Sequence, residues 1–242
     1  MTKQQPQRPL LVSFSGLDGS GKTTQITNAR AELAALGLSD RLLAFWDNVV
    51  VGCRYREGFV HKVYKSEIGV GAPGKPVNRR DKNVRKWYLS LARHGLYLMD
   101  ALHLCWVVAM AQREGADVVI FDRYIYDELA NLPLSNPLTR AYVRLVDALV
   151  PRPDIAFLLD ADPVAANARK PEYPVDFMRE NRARYFALAA LLGRKADGEQ
   201  KITIIPPLPL DAAKQAVAQT LLAKMGPSVE SRLPGTQMPV AS

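Results

Sequence analysis

The eight residues Gly16-Leu17-Asp18-Gly19-Ser20-Gly21-Lys22-Thr23 constrain this chain more than any other stretch. They match the pattern GxxxxGK[ST] at every fixed position. An apolar run, Leu10–Ser15, precedes them and reads as a buried strand. Ile26, Ala29, Leu33 and Leu36 follow at spacings of three, four and three, one face of a helix that Gly37 would stop. A glycine-rich turn between strand and helix lets backbone N–H groups converge on phosphate oxygens, and the helix N-terminus adds its positive end. Lys22 brings a point charge to β- and γ-phosphates, and the Thr23 hydroxyl suits magnesium. The reading is an ATP-binding loop of Gly16, Leu17, Asp18, Gly19, Ser20, Gly21, Lys22, Thr23 and Thr24, with Mg2+ as its ion.

The rest of the chain alternates strand and helix patterns. Further strands are expected at Arg41–Trp46, Asp117–Phe121, Asp154–Leu159 and Lys201–Ile205. Helices are expected at Asn83–Gly115, with a break near Gly95, then in two pieces around NLPLSNP, and at Pro163–Arg169, Val175–Leu192 and Asp211–Met225, with Asp211 as a cap. Alternation of this kind needs crossover connections and a parallel sheet. The fold expected is a three-layer α/β/α domain of about five parallel strands, which the family resemblance given below makes a P-loop kinase fold with a short lid. Residues 1–9 read as a flexible leader, 10–225 as the domain, with the lid implied by that resemblance at about 169–182, and 226–242 as a disordered tail. Residues Gly52–Arg80 have no clean period and read as loops with one short helix.

The 242 residues carry a net charge of +8. It is concentrated between Arg54 and Arg93, where eleven Lys or Arg face three Asp or Glu. Such a segment suits nucleic acid, a membrane surface, an anionic small molecule or simply solvent. No RNP or zinc-finger signature accompanies it, so no specific nucleic-acid partner is expected. The apolar run Leu102–Ala111 is too short to span a bilayer and the N-terminus lacks an apolar signal segment, which gives no membrane and a cytoplasmic location. Cys53 and Cys105 form no disulfide framework or CxxC site, and Cys105 reads as core packing. His61, His94 and His103 lack metal-ligand spacing and read as surface or core residues.

A second motif stands at Val118–Tyr124, VVIFDRY. A strand ending in Asp puts a carboxylate at the sheet's carboxyl edge, beside the glycine-rich loop. Asp122 there would hold magnesium through water or accept a proton, and Arg123 would meet the phosphate of a second substrate. With these residues in hand, the chain resembles the thymidylate kinase family of P-loop nucleoside monophosphate kinases. FSGLDGSGKTTQ (Phe14–Gln25) is similar to that family's loop, VVIFDRY to its DR[YH] strand, and PDIAFLLDADP (Pro153–Pro163) to its fourth strand and lid start. FMRENRARYFALA (Phe177–Ala189) resembles the helix returning from the lid. The resemblance implies ATP on Gly16–Thr23, Asp18 near the acceptor's sugar hydroxyl, and Arg123 on the acceptor phosphate. It implies Arg169 and Arg182 as lid arginines that spread charge in the transition state.

The acceptor side departs from the family pattern. A strand-two loop of the REPGG type is replaced by AFWDNVVVG, and the ADR of the long helix by Met99-Asp100-Ala101. After DRY the pattern xxSxxAYQ is replaced by IYDELANL, and the lid is cut to KPEYP, Lys170–Pro174. Asp47, Tyr124, Arg79 and Arg85 are therefore taken as acceptor-binding, with Arg80 beside them and Trp46, Trp87 or Tyr88 as stacking surfaces. The first reading is phosphoryl transfer to dTMP or a relative. The second is a kinase of a deoxynucleoside or sugar hydroxyl, with Asp122 or Asp47 as general base. The third is a non-catalytic ATP-binding module. Leu96–Met110 is apolar enough for a homodimer interface and equally for a core.

Overall fold

The computed structural model describes residues 8–52 and 87–225. Its centre is a five-stranded, wholly parallel sheet in the order β2-β3-β1-β4-β5. The strands are β1 (Leu10–Gly16), β2 (Asp40–Ala44), β3 (Val118–Asp122), β4 (Ile155–Leu159) and β5 (Thr203–Ile205). The helices are α1 (Lys22–Ala35), α2 (Phe45–Asn48), α3 (Trp87–Arg113), α4 (Ile125–Leu129), α5 (Pro137–Leu149), α6 (Pro163–Arg169), α7 (Val175–Leu192) and α8 (Leu210–Met225).

Strand alternation explains the three layers. Val12 and Phe14 of β1, Val118 and Ile120 of β3, and Ile155 and Phe157 of β4 point to one face, where Ile26, Ala29 and Leu33 of α1 and Val217 and Leu221 of α8 cover them. The intervening residues Leu11, Val119, Phe121, Ala156 and Leu158 point to the other face. There α3, α5 and α7 bring Leu104, Val146 and Leu188. Burial on both faces is why these strands read as continuous apolar runs. Phe14 and Phe157 stack at 5.0 Å across neighbouring strands, and burying each such ring contributes about 1.5–3 kcal/mol.

Several expected boundaries move. The second strand ends at Ala44, and Phe45–Asn48 turns into a short helix, so Trp46 and Asp47 leave the sheet. The fifth strand begins at Thr203. Helix α3 runs through Gly95 without a break. Asp211 lies inside the first turn of α8 instead of capping it. Cys105 is only half-buried, its thiol donating to Ala101 O at 3.2 Å. Helix formation also joins the apolar run to its flanks. Leu91–Arg113 is long and apolar enough, by length and composition, to cross a membrane, which the run Leu102–Ala111 alone did not suggest. Its Tyr97, Ala101, Leu104, Val108 and Ala111 pack into the core, while Leu102 and Trp106 face outward.

The sheet order places the site. From β1 the chain crosses to β2 and β3 on one side, then to β4 and β5 on the other. The crevice at such a reversal lies at the carboxyl ends of β1 and its two neighbours. Those ends are Gly16, Asp122 and Leu159.

Candidate active site

Gly16–Thr23 joins β1 to α1, and its geometry requires glycine at two closely packed points. Gly16 has φ +142° and Gly19 φ +80°. A Cβ on Gly16 would lie 2.5 Å from Leu159 O, and one on Gly19 would lie 2.4 Å from Ala166 O. The loop is thus pressed between the end of β4 and the backbone of α6. Arg169, at the end of α6, adds a hydrogen bond from Nε to Gly19 O at 2.8 Å. Its exposed guanidinium stands beside the loop. Thr23 and Thr24 open α1 and are exposed.

Lys22 is folded back onto its own loop. Its ammonium donates to Gly16 O at 2.9 Å and Leu17 O at 2.8 Å, and Asp18 Oδ1 stands 4.0 Å away. Burial disfavours its charge, and the nearby Arg123 disfavours it further. Against the opposing pull of Asp18, Asp127 and Asp122, the pKa falls from 10.5 to about 8.

Arg123 follows the end of β3 with φ +66°, the only non-glycine residue at positive φ among the described residues. A left-handed residue of this kind costs about 1–2 kcal/mol. Its N–H donates to Phe14 O at 2.9 Å, which fixes the turn against β1. The guanidinium pairs with Asp18, and it reaches Asp127 Oδ1 at 3.4 Å. Burial opposes its charge, but Asp127 and then Asp18 outweigh that and raise its pKa. Arg123 and Lys22 thus form a cationic pair interleaved with carboxylates at the mouth of the crevice. Asp122, at the end of β3, adds negative charge to both.

Asp127 was not singled out by the sequence. It is 4% exposed and collects donors from three elements. The Ser15 and Tyr185 hydroxyls, the Tyr124 N–H and Arg123 all reach it. It also closes a capping box at the start of α4. Its spacing of four from Arg123 and its place in IYDELANL, where the resembled pattern has serine, were the visible signals. Asp160, just beyond β4, was missed as well. It holds Arg182 of α7 in a bidentate pair at 2.6 Å and 2.6 Å. Arg182 also lies over the Phe186 ring at 5.2 Å.

On the acceptor side, the structure separates the sequence candidates. Asp47 and Trp46 are exposed on α2. The following segment is pinned to α3, because Asp100 accepts from Val51 N at 3.0 Å and His103 Nδ1 lies 2.6 Å from Val49 O. Asp100 is fully buried and accepts that bond through Oδ1. His94 packs edge-on against Tyr142. Tyr124 requires a correction. It is completely buried and its hydroxyl donates to Pro151 O, so it presents no face to an acceptor. Arg79, Arg80, Arg85, His61, Cys53 and most of the basic segment Arg54–Arg93 lie outside the described residues, as do the side chains of Trp87 and Tyr88. The leader before Arg8 and the tail 226–242 also lie outside them.

Of the lid candidate, 169–182, only Lys170–Pro174 forms a tight turn between α6 and α7, and the residues from Val175 onward already belong to α7. Asn167 Nδ2 donates to Tyr173 O at 2.6 Å, and the Tyr173 and Phe177 rings meet at 5.3 Å. Asp162 caps α6 by accepting from Val164 and Ala165 N–H groups.

Curated proteins of similar sequence carry one name. Thymidylate kinase of Bifidobacterium longum subsp. infantis is 28% identical over 192 residues, which is 75% of this chain and 74% of that protein. Thymidylate kinase of Xanthomonas euvesicatoria pv. vesicatoria is 30% identical over 165 residues, 66% of this chain and 60% of that one. The crystal structure of thymidylate kinase from Ehrlichia chaffeensis superposes with a TM-score of 0.54 at 18% identity, covering 89% of this chain and 99% of its own. The chain is similar over three quarters of its length to proteins named thymidylate kinase. No family model matches it. The shared fold is the P-loop kinase fold that the family resemblance implied. Lys22 and the Arg123 turn lie at the carboxyl ends of β1 and β3, the topological position at which open α/β sheets take ligands.

Proposed function

We propose that this protein transfers the γ-phosphoryl group of ATP to a nucleoside monophosphate, dTMP or a relative, giving ADP and a nucleoside diphosphate. The observation that carries the reading is Arg123, held by Asp18 and Asp127 at the mouth of the phosphate-binding loop. A fixed guanidinium there suits an acceptor that is itself a phosphate. The relatives named thymidylate kinase support the choice of dTMP.

In this mechanism the ATP phosphates lie along Gly16–Thr23 and draw Lys22 off the Gly16 and Leu17 carbonyls. The acceptor phosphate takes Arg123, and Asp18, released from it, turns to the acceptor's sugar hydroxyl. A phosphate oxygen is already nucleophilic, so the chain supplies position and charge and no general base. Arg169 already adjoins the loop. Arg182 would leave Asp160 when the lid closes, and both arginines would spread the charge of the transferring group. Thr23 and Asp122 would hold the magnesium ion, whose role is to neutralise phosphate charge. One exposed hydroxyl and one strand-end carboxylate fit an ion that keeps several waters and takes its other oxygens from the substrate. Asp47, on exposed α2, and Arg79 and Arg85 would flank the acceptor. A homodimer packed through the outward face of α3 and a cytoplasmic location belong to the same reading.

The test is ADP release from magnesium–ATP against dTMP, the other nucleoside monophosphates, deoxynucleosides and simple sugars, with Lys22→Ala as the control. Selective turnover with dTMP, lost in the variant, is expected. Turnover with a hydroxyl acceptor alone would reassign the chemistry, and ATP binding without turnover would leave a binding module.

A further inference from the structure

The Arg123 guanidinium is shared between two carboxylates that differ in access. Asp18, on the loop, is 23% exposed, whereas Asp127 is 4% exposed. An acceptor phosphate approaching Arg123 repels and replaces the accessible carboxylate, Asp18. That departure removes a counter-charge from a site in which Lys22 and Arg123 already repel one another. Asp127 cannot leave. Its Oδ2 accepts from the Ser15 hydroxyl and the Tyr124 N–H, and its Oδ1 from the Tyr185 hydroxyl at 2.7 Å and from Arg123. Ser15 belongs to β1 and Tyr185 to α7, the helix that returns from the lid.

Resting on the proposed acceptor phosphate, we propose that Asp127 is the positioning residue of its grip: it holds Arg123 when Asp18 turns to the acceptor, and Tyr185 ties that hold to the lid-return helix. Asp127 touches no substrate. It acts through Arg123, keeping a guanidinium on a left-handed backbone aimed at the loop while the neighbouring cation is drawn to ATP. In the pattern DRYxxS that this chain resembles, Asp127 stands where serine is usual, so the negative charge at this point is a departure of this chain. A neutral hydroxyl has only two acceptor lone pairs for these four donors and carries no charge to hold the Arg123 guanidinium.

The test is steady-state kinetics of Asp127→Asn, alone and combined with Arg123→Ala. The single variant is expected to raise the dTMP KM at least about tenfold, leave the ATP KM within about twofold, and add nothing once Arg123 is gone. Equal losses with and without Arg123, or an equal rise in the ATP KM, would make Asp127 a purely structural residue and overturn the proposal. If Asp127→Asn does not fold, Tyr185→Phe is measured in the same way, with a rise of about threefold in the dTMP KM alone expected and no change overturning the coupling. Wild-type protein inert towards dTMP would sink the thymidylate reading by itself. Asp127 is then judged by phenylglyoxal modification of Arg123, read by peptide mass in Asp18→Ala with and without Asp127→Asn. A rate at least about fivefold faster in the double variant is expected, since a guanidinium without its carboxylate is freely accessible. Equal rates would overturn the hold.

Discussion

Titrating Lys22 tests the loop's electrostatics directly. In the ATP-free protein its pKa is depressed to about 8 from 10.5, chiefly by burial and then by the charge of Arg123. Phosphate oxygens of ATP would offset both causes and return the pKa to about its ordinary value of 10.5. At pH 9 the free site is then about 10% protonated and the complex almost wholly so, so binding takes up close to one proton. Above pH 8 the ATP dissociation constant should rise about tenfold per pH unit, to a ceiling near 300-fold or about 3 kcal/mol. Isothermal titration with magnesium–ATP at pH 7 and pH 9, each in two buffers of different ionisation enthalpy, reads both quantities. Lys22→Met should abolish the uptake at pH 9. The same shift fixes a stability trend. A lysine whose folded pKa lies below its unfolded one binds more protons when unfolded, between pH 8 and 10.5. Its burial penalty is therefore complete below pH 8 and fades as pH rises through that window. Affinity that stays flat from pH 7 to pH 9, with no buffer dependence, would refute the argument.

Other outcomes follow from single contacts. Gly19→Ala places a Cβ 2.4 Å from Ala166 O at φ +80°, so thermal unfolding should fall by several degrees and ATP affinity should drop, about 1–2 kcal/mol coming from the backbone alone. A wild-type midpoint would mean that α6 gives way at no cost. Arg123→Ala should raise the acceptor KM at least about tenfold with the ATP KM nearly constant. If only the ATP value moved, Arg123 would not be the acceptor's grip. Arg182→Ala should lower kcat by about two orders of magnitude while the KM values hold. An unchanged kcat would leave Arg182 as the structural partner of Asp160.

The loop, the strand-end Asp122 and the five-strand plan were legible because each is written locally. GxxxxGK[ST] lies in adjacent residues, and strands buried on both faces must be apolar throughout. The limits of α7, Val175–Leu192, were legible for the same reason, since Pro174 precedes the helix and Gly193 follows it. Trp46 and Asp47 were harder. RLLAFW is apolar enough to continue as a strand, and its turn into α2 depends on Phe45 finding the core beneath it. Tyr124 looked like a site residue because it adjoins Arg123. The left-handed turn at Arg123 instead sends the ring inward, where it packs against Phe121 at 5.3 Å.

Sequence by itself determined the fold class, the glycine-rich loop between β1 and α1 and the cation beside it, because neighbouring residues along the chain carry each of them. Tertiary structure alone decided which charges meet. Asp127 becomes the partner of Arg123, Ser15 and Tyr185 only when β1, β3 and α7, up to 170 residues apart, converge at one edge of the sheet. Asp160 meets Arg182, and Arg169 meets Gly19, through the same convergence. Burial and pairing are properties of that assembled edge, and no local pattern encodes them. The depressed pKa of Lys22 is likewise set by what surrounds it, not by its place in the motif.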